Sequence, residues 1–220
     1  MKRLSLPVTG FMILVFFGVA AMAMQKGTAI SAKEAQQNLL DGNKRYVSEK
    51  QSHIGQTAKR RGEVAKGQHP FAVVICCSDS RVPPEILFDQ GLGDLFVIRL
   101  AGNILNDEAI GSIEYAVDHL GVQYIMVLGH ERCGAVGATV EGGEAPGHIG
   151  SLVKAIKPAV DKVKNQPGDL LDNAVRANVG IVVEQLKSSA PILNKFVKKG
   201  ELTVAGACYD LDDGVVEILP

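Results

Sequence analysis

Cys77, His130 and Cys133 offer two thiolates and one imidazole, with Asp79 and Arg81 close to the first of them. Cys77 lies in Cys76-Cys77-Ser78-Asp79-Ser80-Arg81-Val82-Pro83-Pro84-Glu85, and the other two lie in Gly129-His130-Glu131-Arg132-Cys133-Gly134. Zinc accepts this mixture of soft and borderline donors in tetrahedral geometry, and a catalytic zinc takes three protein ligands and keeps one position for water. The His130-x-x-Cys133 spacing lets both side chains reach one ion from a single turn. Asp79 and Arg81 are two residues apart, so on an extended segment they share a side and suit a charge-assisted pair. Asp79 therefore has two roles open to it: a fourth zinc ligand, or a partner of Arg81 that leaves that position to water.

These residues need elements that bring distant segments together. Residues 71–75, 95–98 and 124–128 are short, nearly continuous apolar runs, the pattern of buried parallel strands. Two of the three runs lead directly into the candidate ligands, as expected where functional groups gather outside the carboxyl ends of a parallel sheet. Between the second and third, residues 107–120 place Ile110, Ile113, Ala116, Val117 and Leu120 at helical spacing, and Gly121 ends the pattern. Strand, helix, strand is the βαβ signature. Ser31 with Glu34 three residues on predicts a helix start, and 53–68, polar and without periodicity, reads as a connection. Further helices are expected over 149–163 and 171–186, with a short one ending near Gly200. Residues 202–209 and 215–219 flank Asp212-Asp213-Gly214, a hairpin signal. The fold class is α/β: a mostly parallel central sheet flanked by helices, with an antiparallel strand at its C-terminal end.

The two motifs together resemble the β-class carbonic anhydrases. The likeness runs from about Ser31 to the C-terminus and includes Gly67-Gln68-His69-Pro70, Arg99-Leu100-Ala101-Gly102-Asn103 and Ile113-Glu114-Tyr115-Ala116. The resemblance implies one Zn2+ per chain on Cys77, His130 and Cys133, with Asp79 and Arg81 governing the fourth position and Asp79 itself able to serve as a metal ligand. It implies reversible hydration of carbon dioxide to bicarbonate and a proton through a zinc-bound hydroxide. It assigns substrate contacts to Gln68, Phe96, Tyr115 and the backbone N–H of Gly134. It also implies a homo-oligomer, a dimer or dimer of dimers, with the cleft at the subunit interface. Leu100 stands where an asparagine often follows the arginine, and the chain has no tryptophan, which members with a second, inhibitory bicarbonate site use there. The same chemistry would serve hydrolysis of carbonyl sulfide or carbon disulfide, and an Asp79 that closed the site permanently would make the protein a non-catalytic zinc binder.

At 220 residues and 46% hydrophobic content, the chain is long enough to bury a sizeable core as one domain. A formal net charge of -1, with no run of one sign, argues against a nucleic-acid partner. Lys2 and Arg3 precede an apolar stretch over 11–23 that is shorter than the roughly 20 residues that span a bilayer. Ala21-Met22-Ala23 supplies small residues for a cut, so 1–23 reads as a secretory signal peptide and 24–220 as the catalytic domain. The expected product is exported, periplasmic or secreted, with no stable membrane association. In an oxidising compartment the four cysteines allow three disulfide pairings, yet a core of this size needs no staple, and Cys76 and Cys208 read as small buried strand residues. His53, His69, His119 and His148 carry no pattern that marks a proton shuttle. The intact mass of the exported protein tests the leader: it should correspond to a chain beginning at Met24, and a retained Met1 would overturn cleavage.

Overall fold

Three apolar runs become the parallel strands β1 (Ala72–Cys76), β2 (Leu95–Arg99) and β3 (Tyr124–His130), and the C-terminal hairpin supplies β4 (Thr203–Tyr209) and β5 (Val216–Ile218). This is the arrangement in a computed structural model that describes residues 30–220, so the leader assigned to 1–23 lies outside the described residues. The strands form one sheet in the order β2-β1-β3-β4-β5. All neighbours pair parallel except β4 and β5, which are antiparallel as the hairpin signal predicts.

The described helices are α1 (Ala32–Val47), α2 (Ala58–Val64), α3 (Pro84–Leu87), α4 (Asp107–Asp118), α5 (Gly134–Glu141), α6 (Ile149–Val163), α7 (Leu170–Ser188) and α8 (Leu193–Lys198). β1 and β3 are buried at every position because successive side chains feed opposite faces and both faces are covered. On one face Val74, Cys76, Met126 and Leu128 meet Leu39 of α1 and Leu87 of α3. On the other, Val73, Ile75, Ile125 and Val127 meet Ile113 of α4, Val179 and Val182 of α7, and Leu193 of α8. Close seating of α7 depends on two glycines: a Cβ on Gly129 or Gly206 would stand 2.6 or 2.8 Å from Val179.

Two expectations need correction. Residues 53–68 are not merely a connection, because they contain α2, capped by Thr57, whose hydroxyl accepts from the Arg60 N–H at 3.1 Å. No residue of α2 is buried, so it has no apolar stripe and shows no periodicity to read. The second apolar run is not a buried strand either. Every residue of β2 is half-buried, because β2 is the edge of the sheet and Phe96 and Ile98 are only partly covered by this chain.

α1 is fastened to the sheet by buried polar groups. Asn43 donates to the carbonyls of Leu87 and Gly214 and accepts from the Val216 N–H at 2.9 Å. Asp89 is nearly fully buried and accepts from Arg45 Nε at 2.6 Å, from the Ser52 N–H and hydroxyl, and from the His53 N–H. Burial alone would raise its carboxyl, but the donors from Ser52, Arg45 and His53 outweigh it and hold the group well below the usual carboxylate range. A depressed folded value means stability that is present above the unfolded pKa near 4 and lost as pH falls toward the folded one. Asp89→Ala should cost about 3 kcal/mol in urea unfolding at pH 7, since it strands several donors. In Asp89→Asn the loss of stability between pH 5 and 3 should be shallower than in the parent; an identical acid limb would show that Asp89 carries none of it.

Candidate metal centre

The parallel register assembles the site. Cys76 pairs with Leu128, so the segments leaving β1 and β3 emerge side by side, one delivering Cys77 and the other ending on His130. Cys133 follows at the N-cap of α5, after Arg132 reverses the chain at a left-handed φ of 49°. The ligand atoms of Cys77, His130 and Cys133 all lie within 4.8 Å of one another, and all three residues are buried. The two sulfurs are 3.9 Å apart. Tetrahedral zinc with bonds of 2.3 Å separates two sulfurs by about 3.8 Å.

His130 gives the sharper test of fit. Its Nδ1 lies 2.8 Å from the Glu131 carbonyl, which can only accept, so Nδ1 carries the proton and Nε2 carries a lone pair. That Nε2 is buried and has no hydrogen-bond partner. A buried acceptor without a partner, set beside two thiols, fits a divalent cation, and the donor set suits zinc.

The thiols are prepared for a cation as well. Cys77 is shifted well below the usual thiol range by its hydrogen bond with Cys133, against burial, and then by His130 and by the N–H groups of Gly102 and Asp79. Cys133 is pushed up, first by that same bond and then by burial, while the Val136 and Ala135 N–H groups pull the other way. The pair thus ionises once easily and twice only with help, and a divalent ion supplies that help.

Asp79 is paired with Arg81 in this structure. Its Oδ1 accepts from the Arg81 N–H at 2.9 Å and from Arg81 Nε at 3.0 Å, and its Oδ2 accepts from Nη2 at 2.8 Å. Arg81 holds the carboxyl far below the carboxylate range, against partial burial. Oδ2 stands 3.8 Å from His130 Nε2, but Asp79 is outside the three-residue cluster. Both oxygens are engaged by Arg81. At 17% side-chain exposure Asp79 is also more sheltered than an ordinary surface ion pair.

The cleft residues are not brought together within one chain. Gln68 is exposed and precedes β1, and Phe96 pairs with Val73 near the amino end of the sheet. At the strand rise of about 3.3 Å per residue, Val73 lies roughly 13 Å from Cys77 along β1. Tyr115 lies on α4, 40% exposed and stacked on His119 at 5.1 Å. Gly134 alone of the four adjoins the cluster, at the exposed first turn of α5.

Two positioning groups escaped the sequence reading. Arg99 ends β2 and donates to the Cys77 carbonyl at 3.0 Å and to the Asp79 carbonyl at 2.5 Å, clamping the turn between them. The only clue was a charge closing an apolar run. Gly102 donates its N–H to Cys77 Sγ at 3.2 Å from a left-handed φ of 69°, where a Cβ would stand 2.6 Å from Ile156. Only glycine fits both conditions.

A sequence model of the family described as carbonic anhydrase matches residues 72–216. Carbonic anhydrase 2 of Mycobacterium tuberculosis is 39% identical over 180 residues, covering 80% of this chain and 87% of the relative. A carbonic anhydrase of Mycolicibacterium smegmatis is 40% identical over 184 residues, covering 82% and 89%. Among solved structures, the Coccomyxa β-carbonic anhydrase in complex with acetazolamide superposes with a TM-score of 0.68 at 30% identity, covering 82% of this chain and 84% of that one. Two tetrameric β-carbonic anhydrases from Sordaria macrospora give a TM-score of 0.66 at 25% identity, covering 85% and 94%. With a cysteine, histidine and cysteine converging at the carboxyl ends of neighbouring parallel strands, and with relatives matching over most of both lengths, the chain belongs to the β-class carbonic anhydrases.

Proposed function

We propose that the chain hydrates carbon dioxide reversibly at one zinc ion per chain, held by Cys77, His130 and Cys133, with Asp79 and Arg81 controlling the fourth position. The observation that carries the reading is the buried, unpartnered Nε2 of His130 facing two thiols 3.9 Å apart. A zinc ion on these residues would acidify a water and so supply the nucleophile near neutral pH. Asp79, kept ionised by Arg81, only accepts hydrogen bonds. Its Oδ2 accepts only from Nη2 and so retains a lone pair, which would accept an O–H from the reacting water and leave the water's own lone pair free for the carbon of carbon dioxide. Arg99 keeps Asp79 in place through its carbonyl. The Gly134 N–H, at the start of α5, is suited to an anionic oxygen of bicarbonate.

Gln68, Phe96 and Tyr115 serve the cleft from a second copy of the chain. Their distance from Cys77 within one chain, together with the half-covered β2 edge, supports a dimer in which each subunit lends its amino-end residues to the metal centre of the other. The tetrameric assemblies of the Sordaria macrospora relatives are in keeping with a dimer of dimers. The protein acts outside the cytoplasm, periplasmic or secreted, once residues 1–23 are removed.

Purified protein should contain one zinc per chain and hydrate carbon dioxide, and stripping the metal with a chelator should abolish turnover. Asp79→Asn and Arg81→Ala should each keep the zinc and lower kcat/KM by about 10- to 100-fold. Full activity in both would sink the assigned roles. Assembly is checked by mixing subunits of two impaired variants, Asp79→Asn and Gln68→Ala. If Gln68 acts across the interface, random pairing restores about a quarter of the parental rate, since half of the dimers hold one intact site of two; no recovery would place Gln68 and Asp79 in the same chain's site.

A further inference from the structure

Asn178 is a polar side chain on the inward face of α7, where Ala174, Val175, Val179 and Val182 are its buried neighbours. It is 2% exposed. Asparagine is a weak helix former, and a buried amide costs free energy unless it is hydrogen-bonded. Its Nδ2 donates to the Gly102 carbonyl at 2.8 Å, across 76 residues of sequence. Gly102 in turn donates its N–H to Cys77 Sγ at 3.2 Å. Gly102 adopts a left-handed φ of 69° that glycine takes freely, but Asn103 beside it is held at 44°, an uncommon conformation for a residue with a side chain, so the turn that aims this N–H needs support from outside itself. Asn178 supplies that support by fixing the carbonyl on one side of the Gly102 Cα while the N–H on the other side meets sulfur.

We propose that Asn178 is a positioning residue of the metal centre: it holds the Gly102 N–H on the Cys77 sulfur and so limits how much charge that thiolate gives to the metal. The inference rests on the zinc reading above. Two thiolates make a bound metal less electrophilic than neutral ligands would, and an N–H donated to sulfur withdraws part of that charge. Cys77 receives a second N–H from Asp79 at 3.4 Å, but that one belongs to the turn already clamped by Arg81 and Arg99. The Gly102 donor depends on α7.

Cobalt(II) in place of zinc gives the test, because its thiolate-to-metal charge-transfer band reports the electron density on sulfur. Asn178→Leu, similar in volume and without a donor, should shift that band to lower energy and weaken metal affinity by about tenfold. Asn178→Ser, too short to reach the carbonyl, should do the same and stands in if the leucine variant fails to fold. Val182→Ala, which loosens α7 without touching Gly102, should lower the urea midpoint and leave the band in place. A band unmoved in a folded Asn178 variant, or moved equally in Val182→Ala, overturns the positioning role. Absence of any thiolate band in the parent would instead overturn the zinc reading itself.

Discussion

The fully buried Nε2 of His130, with a lone pair and no protein partner, is the constraint around which this molecule is arranged. A buried acceptor left alone is costly, and two buried thiols beside it resist ionising together. One divalent ion relieves both: it takes the lone pair and neutralises two sulfurs. The chain prepares for it with backbone groups instead of charged side chains. Asp79 and Gly102 give N–H groups to one sulfur, the nearby Ala135 and Val136 N–H groups favour ionisation of the other, and the Glu131 carbonyl fixes the imidazole tautomer. Backbone donors suit this task because they cannot rotate away or take up the charge themselves.

Such donors must be aimed, and the sheet does the aiming. The register that sets Cys76 against Leu128 also sets Cys76 against Arg99, so β1 and β2 end at one level, two residues before β3 ends on His130, and Arg99 can reach back over the Cys77 turn. Strain collects at the same level: Asn103 and Arg132 both sit at positive φ around the cluster. The price is met by rigid packing behind it, where α7 lies on Gly129 and Gly206 with no room for a Cβ. A mobile helix there would let the strained turn relax and the N–H groups drift off sulfur.

How much of this was legible in the sequence follows from what each residue had to satisfy. Cys77, His130 and Cys133 were readable because ligand chemistry limits residue types and because β1 and β3 announce themselves as apolar runs. The antiparallel hairpin was readable from Asp212-Asp213-Gly214, where Gly214 takes a φ of 80°. α2 was not, since a helix with nothing buried has no stripe. β2 was misread as buried because an apolar run looks the same at the edge of a sheet as at its centre. Gln68, Phe96 and Tyr115 were named through the resemblance, and no motif records that Phe96 pairs with Val73 near the amino end of the sheet. Asn178 was invisible for a different reason: a single polar residue in an amphipathic helix looks like part of its wet face, and only a long-range hydrogen bond distinguishes it.

The Asp79 and Arg81 pair completes the argument, because one carboxylate stands within reach of two cations. Arg81 holds both oxygens, but it is 51% exposed, so solvent screens its grip. The metal position lies on the sheltered side, where Asp79 Oδ2 is already 3.8 Å from His130 Nε2. An attraction felt through protein outweighs an equal one felt through water. Left to charge alone, the carboxylate would therefore drift inward and close the site. What opposes this is geometry: the Arg81 backbone N–H adds a third donor to Oδ1, and Arg99 fixes the Asp79 carbonyl from the other side. The turn between Cys77 and Arg81 thus acts as a spacer that holds an ionised hydrogen-bond acceptor beside the three-residue cluster.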